Sequence, residues 1–228
     1  MSTPARRHKQ RALAAQSADT GPAASAASDQ YQLMQHALWQ ARQRLKRIKS
    51  VESKVAAKRD EILPEFTTYV AGVLEADAGG QDDVIANIMV WAFDVGQLDY
   101  ALAIAAYIIR HGIEAPDQYQ RDAPAIIAEQ TADEVLQRID PDGDDQQATA
   151  TLAHNADTAH TLTAGADIHD PIRAKLEKAR GTARRALGED DAALEHLERA
   201  RELNEHAGVK KAIEQLTRRI NKSDGDRD

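Results

Sequence analysis

From residue 30 to residue 61 no glycine or proline interrupts the chain, and Met34, Leu38, Ala41, Leu45, Ile48 and Val55 recur among polar neighbours at spacings of four, three and seven. That is a heptad pattern, with Glu52 at the position that would continue it, and it predicts one long coiled-coil-like helix over 29–61. Asp29 is placed to cap it, and the helix would run roughly 48 Å. Pro64 should break or kink the pattern, and "EFTTYVAGVLEAD" reads as a second helix ended by Gly79 and Gly80. Two apolar-periodic stretches then flank "DVGQLD", which predicts a helical hairpin of 82–94 and 98–111 closed by Gly112. Trp91, Phe93, Leu98, Leu102, Ile104, Ile108 and Ile109 are its candidate core.

Beyond a polar loop at 113–122, Asp122 caps a predicted helix to about Ile139, with Pro124 in its first turn. The turn "DPDGDD" precedes a polar, alanine-rich helix over 145–163. Asp170 followed by Pro171 reads as a cap and an N1 proline for a helix over 171–187 that stops at Gly188. Helices over 190–203 and 209–221 follow. The expected class is therefore all-α. Its organisation reads as a basic arm and linker (1–28), the long basic helix (29–61), a central helical domain (62–140), a polar helix and linker (141–170), a C-terminal hairpin region (171–222) and a charged tail (223–228). The stretch "ARGTARRALGEDDAALEHLERARELN" resembles a single tetratricopeptide hairpin, and "VWAFDVGQLDYALAIAAY" has the same shape. Gly96 and Gly188 are 92 residues apart, so no regular 34-residue period accompanies them.

Composition agrees with helices that meet through small side chains: apolar residues reach 42% but aromatics only 4%, and alanine is abundant. The absence of cysteine excludes disulfides and thiolate metal sites. No run of about 18 apolar residues is present to span a bilayer, which predicts a protein with no membrane contact. Charge changes the picture more. The net charge is −8, yet residues 1–60 carry 12 Lys/Arg against 4 Asp/Glu, while 61–170 carry 3 against 21. A basic leading quarter on an acidic body points to a polyanion as partner, since one end attracts it while the middle repels it. Arg6, Arg7, His8, Lys9 and Arg11 in the arm, and Arg42, Arg44, Lys46, Arg47 and Lys49 on the long helix, are the candidate DNA contacts. Met34, Leu38, Ala41, Leu45, Ile48 and Val55 are the candidate oligomerisation seam.

No residue pattern points to catalysis, a metal or a cofactor. Asp140, Asp142 and Asp144 alternate as in a calcium loop, but the glycine stands fourth rather than sixth and Thr151 occupies the twelfth place. His154, His160 and His169 lack the i, i+4 spacing of a helical zinc pair and read as surface or cap residues. Glu52 and Lys54 have E-x-K spacing without a second acid at hand. Phosphate-cradling and nucleophile-elbow motifs are absent from the sequence.

Five ordered blocks, "TPARRHKQRALAAQ", "ILPEF", "GGQDDVIANIMVWAFDVGQLDYALAIAAYIIRHGI", "DPIRAKLEKARG" and "EHLERARELNEHAGVKKAIEQLTRRI", resemble the small terminase subunits of tailed phages, specifically the temperate myophage group that packages cohesive-ended DNA. The resemblance implies a subunit that recognises the packaging site on double-stranded phage DNA in the host cytoplasm. It also implies a homo-oligomer, expected as a ring, that recruits the large terminase subunit carrying the ATPase and nuclease. The C-terminal hairpins would be the dock for that partner. Members are often labelled an endonuclease subunit, whereas the residues themselves point to a non-enzymatic adaptor. Two alternatives stand beside it: an endonuclease subunit cutting at cohesive ends, and a helical protein-interaction scaffold without DNA.

Overall fold

The computed structural model describes residues 22–116, 121–140 and 145–225. Every regular element there is helical: α1 (Pro22–Arg47), α2 (Val51–Ala57), a π-helical turn (Lys58–Ile62), α3 (Leu63–Ala76), α4 (Asp83–Asp94), α5 (Leu98–His111), α6 (Ala123–Arg138), α7 (Gln146–Thr163), α8 (Asp170–Ala186), α9 (Asp190–Leu203) and α10 (Lys210–Gly225). The expected all-α class is what the described residues show. The chain divides into two compact units, 1–54 and 55–228.

In the first unit, α1 begins seven residues before the predicted cap, so Asp29 lies inside a helix. "PAASAASD" supplies a proline suited to a first turn and alanines that favour helix, which outweighs the small, polar character that suggested a linker over the whole of 16–29. The uninterrupted helix expected over 29–61 is corrected as well. The chain leaves helical geometry at 48–50 and restarts at Val51. Ser50 is the reason: its Oγ accepts from the Ser53 amide (3.3 Å) and its carbonyl from the Lys54 amide (3.1 Å), so it caps a new helix rather than continuing the old one. Along the predicted seam, Leu38, Ala41 and Leu45 are buried, and Met34, Ile48 and Val55 are half-buried.

Nor does Pro64 break the chain. The backbone widens into a π turn in which the Leu63 amide donates to the Lys58 carbonyl, and Pro64 then falls in the first turn of α3, where its missing N–H is harmless. The helix ends at Asp77, not at Gly79. Asp77 adopts a left-handed backbone (φ 46°), a conformation acidic residues tolerate better than most, and its carboxylate is held by Arg110 (2.8 Å) and His111 (2.8 Å).

The second unit is built around α4, whose residues 84–93 are all buried, as a helix apolar on every side must be. Asp82 starts it, accepting from the Val84 and Ile85 amides (2.9 and 3.0 Å) while Tyr69 of α3 donates to its other oxygen (2.5 Å). Gly96, with φ 74°, makes the turn into α5, and the expected hairpin is present at 83–94 and 98–111. Of the candidate core residues, Trp91, Phe93, Leu98, Leu102, Ile104 and Ile108 are buried and Ile109 is half-buried. Helix α5 packs on α6 and α7, these two pack on α8, and α8 packs on α9, which meets α10. Gly181 permits the close approach of α8 and α9: a Cβ there would stand 2.7 Å from Leu197 Cγ and 3.1 Å from the Ala193 carbonyl.

Candidate nucleic-acid interface

Between Asp29 and Glu52 the chain contains no carboxylate. Helix α1 therefore has no acid at i±3 or i±4 to neutralise Arg42, Arg44, Lys46 or Arg47, and its last turn collects three of these cations where the helix dipole favours positive charge. Lys46, Arg47 and Lys49 are exposed, and among the described residues their side chains make no ion pair or hydrogen bond. Arg44 is exposed and Arg42 half-buried, and neither residue is without a partner. Three of the five helix cations proposed for DNA are thus open at one helix end. Arg6, Arg7, His8, Lys9 and Arg11 lie outside the described residues.

A second basic helix behaves differently. Helix α8 carries six cations, and every one is occupied. Arg173 donates to the Thr163 and Ala166 carbonyls (3.2 and 2.9 Å), closing the end of α7. Lys175 pairs with Asp133 (2.8 Å), Lys178 donates to the Ala207 carbonyl (3.0 Å) and Arg185 to Gln215 Oε1 (3.1 Å). Arg180 bridges Asp157 (2.7 Å) and both oxygens of Glu177 (3.1 Å each). Arg184 holds Asp157 and Glu189.

Glu177 is the centre of this cluster. Only 4% exposed, it accepts from His196 Nδ1 at 3.0 Å and lies 3.2 Å from His160 Nε2. Burial pushes its carboxyl up, but the His196 hydrogen bond and the charges of Arg180, His160 and His196 outweigh burial and hold it below the usual glutamate range. Asp157 is lowered in the same way, burial being overcome by Arg180 and Arg184. His160 is pushed down by burial and by Arg180 against the opposing pull of Glu177. His160 is therefore not the surface or cap residue expected from sequence. His154 is exposed, and His169 occupies the cap position of α8 without a side-chain hydrogen bond. No local pattern in the sequence marks this cluster, because Asp157, Glu177 and His196 come from three different helices.

A carboxylate beside two histidines suggests a metal site, yet Arg180 occupies both Glu177 oxygens. Among the described residues no group of three or more His, Cys, Asp or Glu is arranged to hold a metal ion. Of the calcium-like run, Asp140 is described but Asp142 and Asp144 lie outside the described residues. Glu52 and Lys54 sit on α2. Among the described residues no helix is long and apolar enough to cross a membrane.

Among the described residues, then, the chain is all-helical, with three exposed cations at one helix end. A sequence profile described as phage small terminase subunit matches residues 35–171, and the chain belongs to that family. It is 38% identical over 223 residues to a protein of Escherichia phage P2 named terminase, endonuclease subunit, covering 96% of this chain and 86% of that one. It is 28% identical over 182 residues to a protein of Haemophilus phage HP1 named probable terminase, endonuclease subunit, covering 74% of this chain and 62% of that one. No solved structure is significantly similar to it.

Proposed function

We propose that this chain is the DNA-recognising subunit of a phage packaging terminase, acting in the host cytoplasm, and that it binds double-stranded DNA through the end of α1 together with the basic arm. The observation that carries this reading is the trio Lys46, Arg47 and Lys49, exposed and without a partner among the described residues, in a carboxylate-free stretch. Phosphates supply the partners that the chain withholds, and each neutralised phosphate releases counterions. Repetition of α1 and its arm in a homo-oligomer multiplies weak phosphate contacts through local concentration. Self-association is assigned to the part of the seam on and just after α1, Met34, Leu38, Ala41, Leu45 and Ile48. Leu38, Ala41 and Leu45 are already buried in the single chain, so assembly through them exchanges their present cover for a second copy. The C-terminal hairpins are assigned to the large subunit.

The test is duplex affinity against salt for the chain and for its Lys46→Ala, Arg47→Ala, Lys49→Ala triple variant. Three lost phosphate contacts lower the slope of log K against log salt by about 2.7, at about 0.9 per contact. An unchanged slope removes α1 from the interface. A variant with Arg6, Arg7, Lys9 and Arg11 changed to Ala measures the arm in the same assay.

The names of the two relatives favour a second reading, in which this chain itself cuts DNA. We assign cutting to the large subunit, because a nuclease of this kind needs two or three carboxylates converging on a divalent ion and no motif in the sequence supplies such a set. Cohesive-end DNA incubated with this chain and Mg²⁺ alone decides it: cleavage overturns the assignment.

A further inference from the structure

Helix α1 exposes an aromatic side chain beside its cations. Trp39 is 57% exposed, and it stacks on His36 with ring centroids 6.0 Å apart and planes 19° apart. Arg42, Gln43 and Lys46 follow it at i+3, i+4 and i+7, a stripe distinct from the buried Leu38, Ala41 and Leu45. Leu33 and Val51 are also exposed, but neither lies on this stripe or offers a π face. From Trp39 to Lys46 is about two helical turns, roughly 10.5 Å along the axis, which spans a few nucleotides at about 3.4 Å of rise each.

We infer that Trp39 stacks on an unpaired base of a DNA strand whose phosphates are held by Lys46, Arg47 and Lys49, so that this helix face takes single-stranded DNA or a strand end as well as duplex. The inference rests on the proposed DNA role of α1. Its physical basis is that an intact duplex presents base edges in its grooves and hides base faces, whereas an indole gains most from a face. Lys46 on the same stripe, with Arg47 next to it in the chain, commits the occupant to a polyanion, and the carboxylate-free stretch from residue 30 to 47 offers nothing to a basic partner. Stacking of this kind is indifferent to sequence, because every base has a π face.

Tryptophan fluorescence tests this directly, since the chain contains only Trp39 and Trp91 and Trp91 is buried. The difference between the emission of the intact chain and of its Trp39→Phe variant isolates residue 39 without altering the core. Single-stranded oligonucleotide is expected to quench that difference signal. Trp39→Ala is expected to weaken single-strand affinity about tenfold and duplex affinity far less, with Trp39→Phe close to the parent and the salt slope unchanged in all. Salt-dependent binding with an unaltered Trp39 signal and an unaltered Trp39→Ala affinity overturns the stacking while leaving the phosphate reading in place. A Trp39 signal that shifts with protein concentration in the absence of DNA overturns it in favour of a second copy of the chain. If the intact chain shows no salt-dependent affinity for either form of DNA, the underlying reading fails with it.

Discussion

Helices α1 and α8 are both rich in arginine and lysine, and they use them for opposite ends. On α8 each cation has an acceptor: a carboxylate on a neighbouring helix, a carbonyl at a helix end, or a glutamine. On α1 the last turn and the residues just after it present Lys46, Arg47 and Lys49 to solvent without any among the described residues. Charge density alone does not distinguish the two. What does is the supply of acids: Asp133, Asp157, Glu177 and Glu189 reach α8 from its own turns, its neighbours α6 and α7 and the loop that follows it, whereas the chain around α1 contains none for 22 residues. A cation already satisfied inside the fold has little to gain from a phosphate, and one left in water has an ion atmosphere to exchange.

The largest test of that contrast is Arg180→Ala. Removing the guanidinium leaves Glu177 buried and short of a cation, with Asp157 losing one of two, and a broken buried pair of this kind typically costs about 3–5 kcal/mol. Chemical denaturation should show a loss of that order, with DNA affinity unchanged under conditions where the variant is folded. A loss below about 1 kcal/mol would mean that the α8 charges are no more structural than those of α1.

Acidification probes the same cluster without mutation. Glu177 and Asp157 have folded-state pKa values below their ordinary 4.5 and 3.8, so the folded chain holds fewer protons than the unfolded one in that range. The stability they supply is present above those ordinary values and is lost as pH falls through the depressed ones. His160 adds in the same direction, because its folded pKa lies below the ordinary 6.5 and the unfolded chain takes up that proton first on acidification. Thermal midpoints should therefore decline from pH 7 downward, first gently as His160 comes into play and then more steeply below about 4.5. Glu177→Gln should flatten the steeper part, and an equally steep decline in that variant would place the titrating groups elsewhere.

How much of this the amino-acid sequence discloses depends on whether a feature is local. The hairpin at α4 and α5 is legible because apolar periodicity, Asp82 and Gly96 all lie within thirty residues and agree. The carboxylate-free basic helix is legible for the same reason. The break at 48–50 was hidden because a serine inside a heptad pattern looks like any polar surface residue, and only its two hydrogen bonds reveal a cap. The passage through Pro64 was hidden because a π turn leaves no sequence mark of its own. The Glu177 cluster needed the packing of α7, α8 and α9 before its members met, since its pairs between helices stand 17 to 27 residues apart along the chain. Trp39 was legible as a residue but not as a surface: its exposure depends on which stripe of α1 the fold covers.

The smallest expected effect is on the other side of the comparison. Lys46→Ala, Arg47→Ala and Lys49→Ala together remove three exposed charges that hold nothing among the described residues, and alanine is at least as good a helix former as either residue it replaces within α1. Their mutual repulsion is relieved, their favourable position at the helix end is lost, and both terms are small and screened by salt. The unfolding free energy should therefore stay within about 0.5 kcal/mol of the parent, as is usual for surface sites without partners. The same three changes should cost DNA affinity heavily at low salt. Denaturation and DNA titration on one preparation give both numbers, and a stability loss of several kcal/mol would show that these cations serve the fold after all, ending the distinction between the two helices.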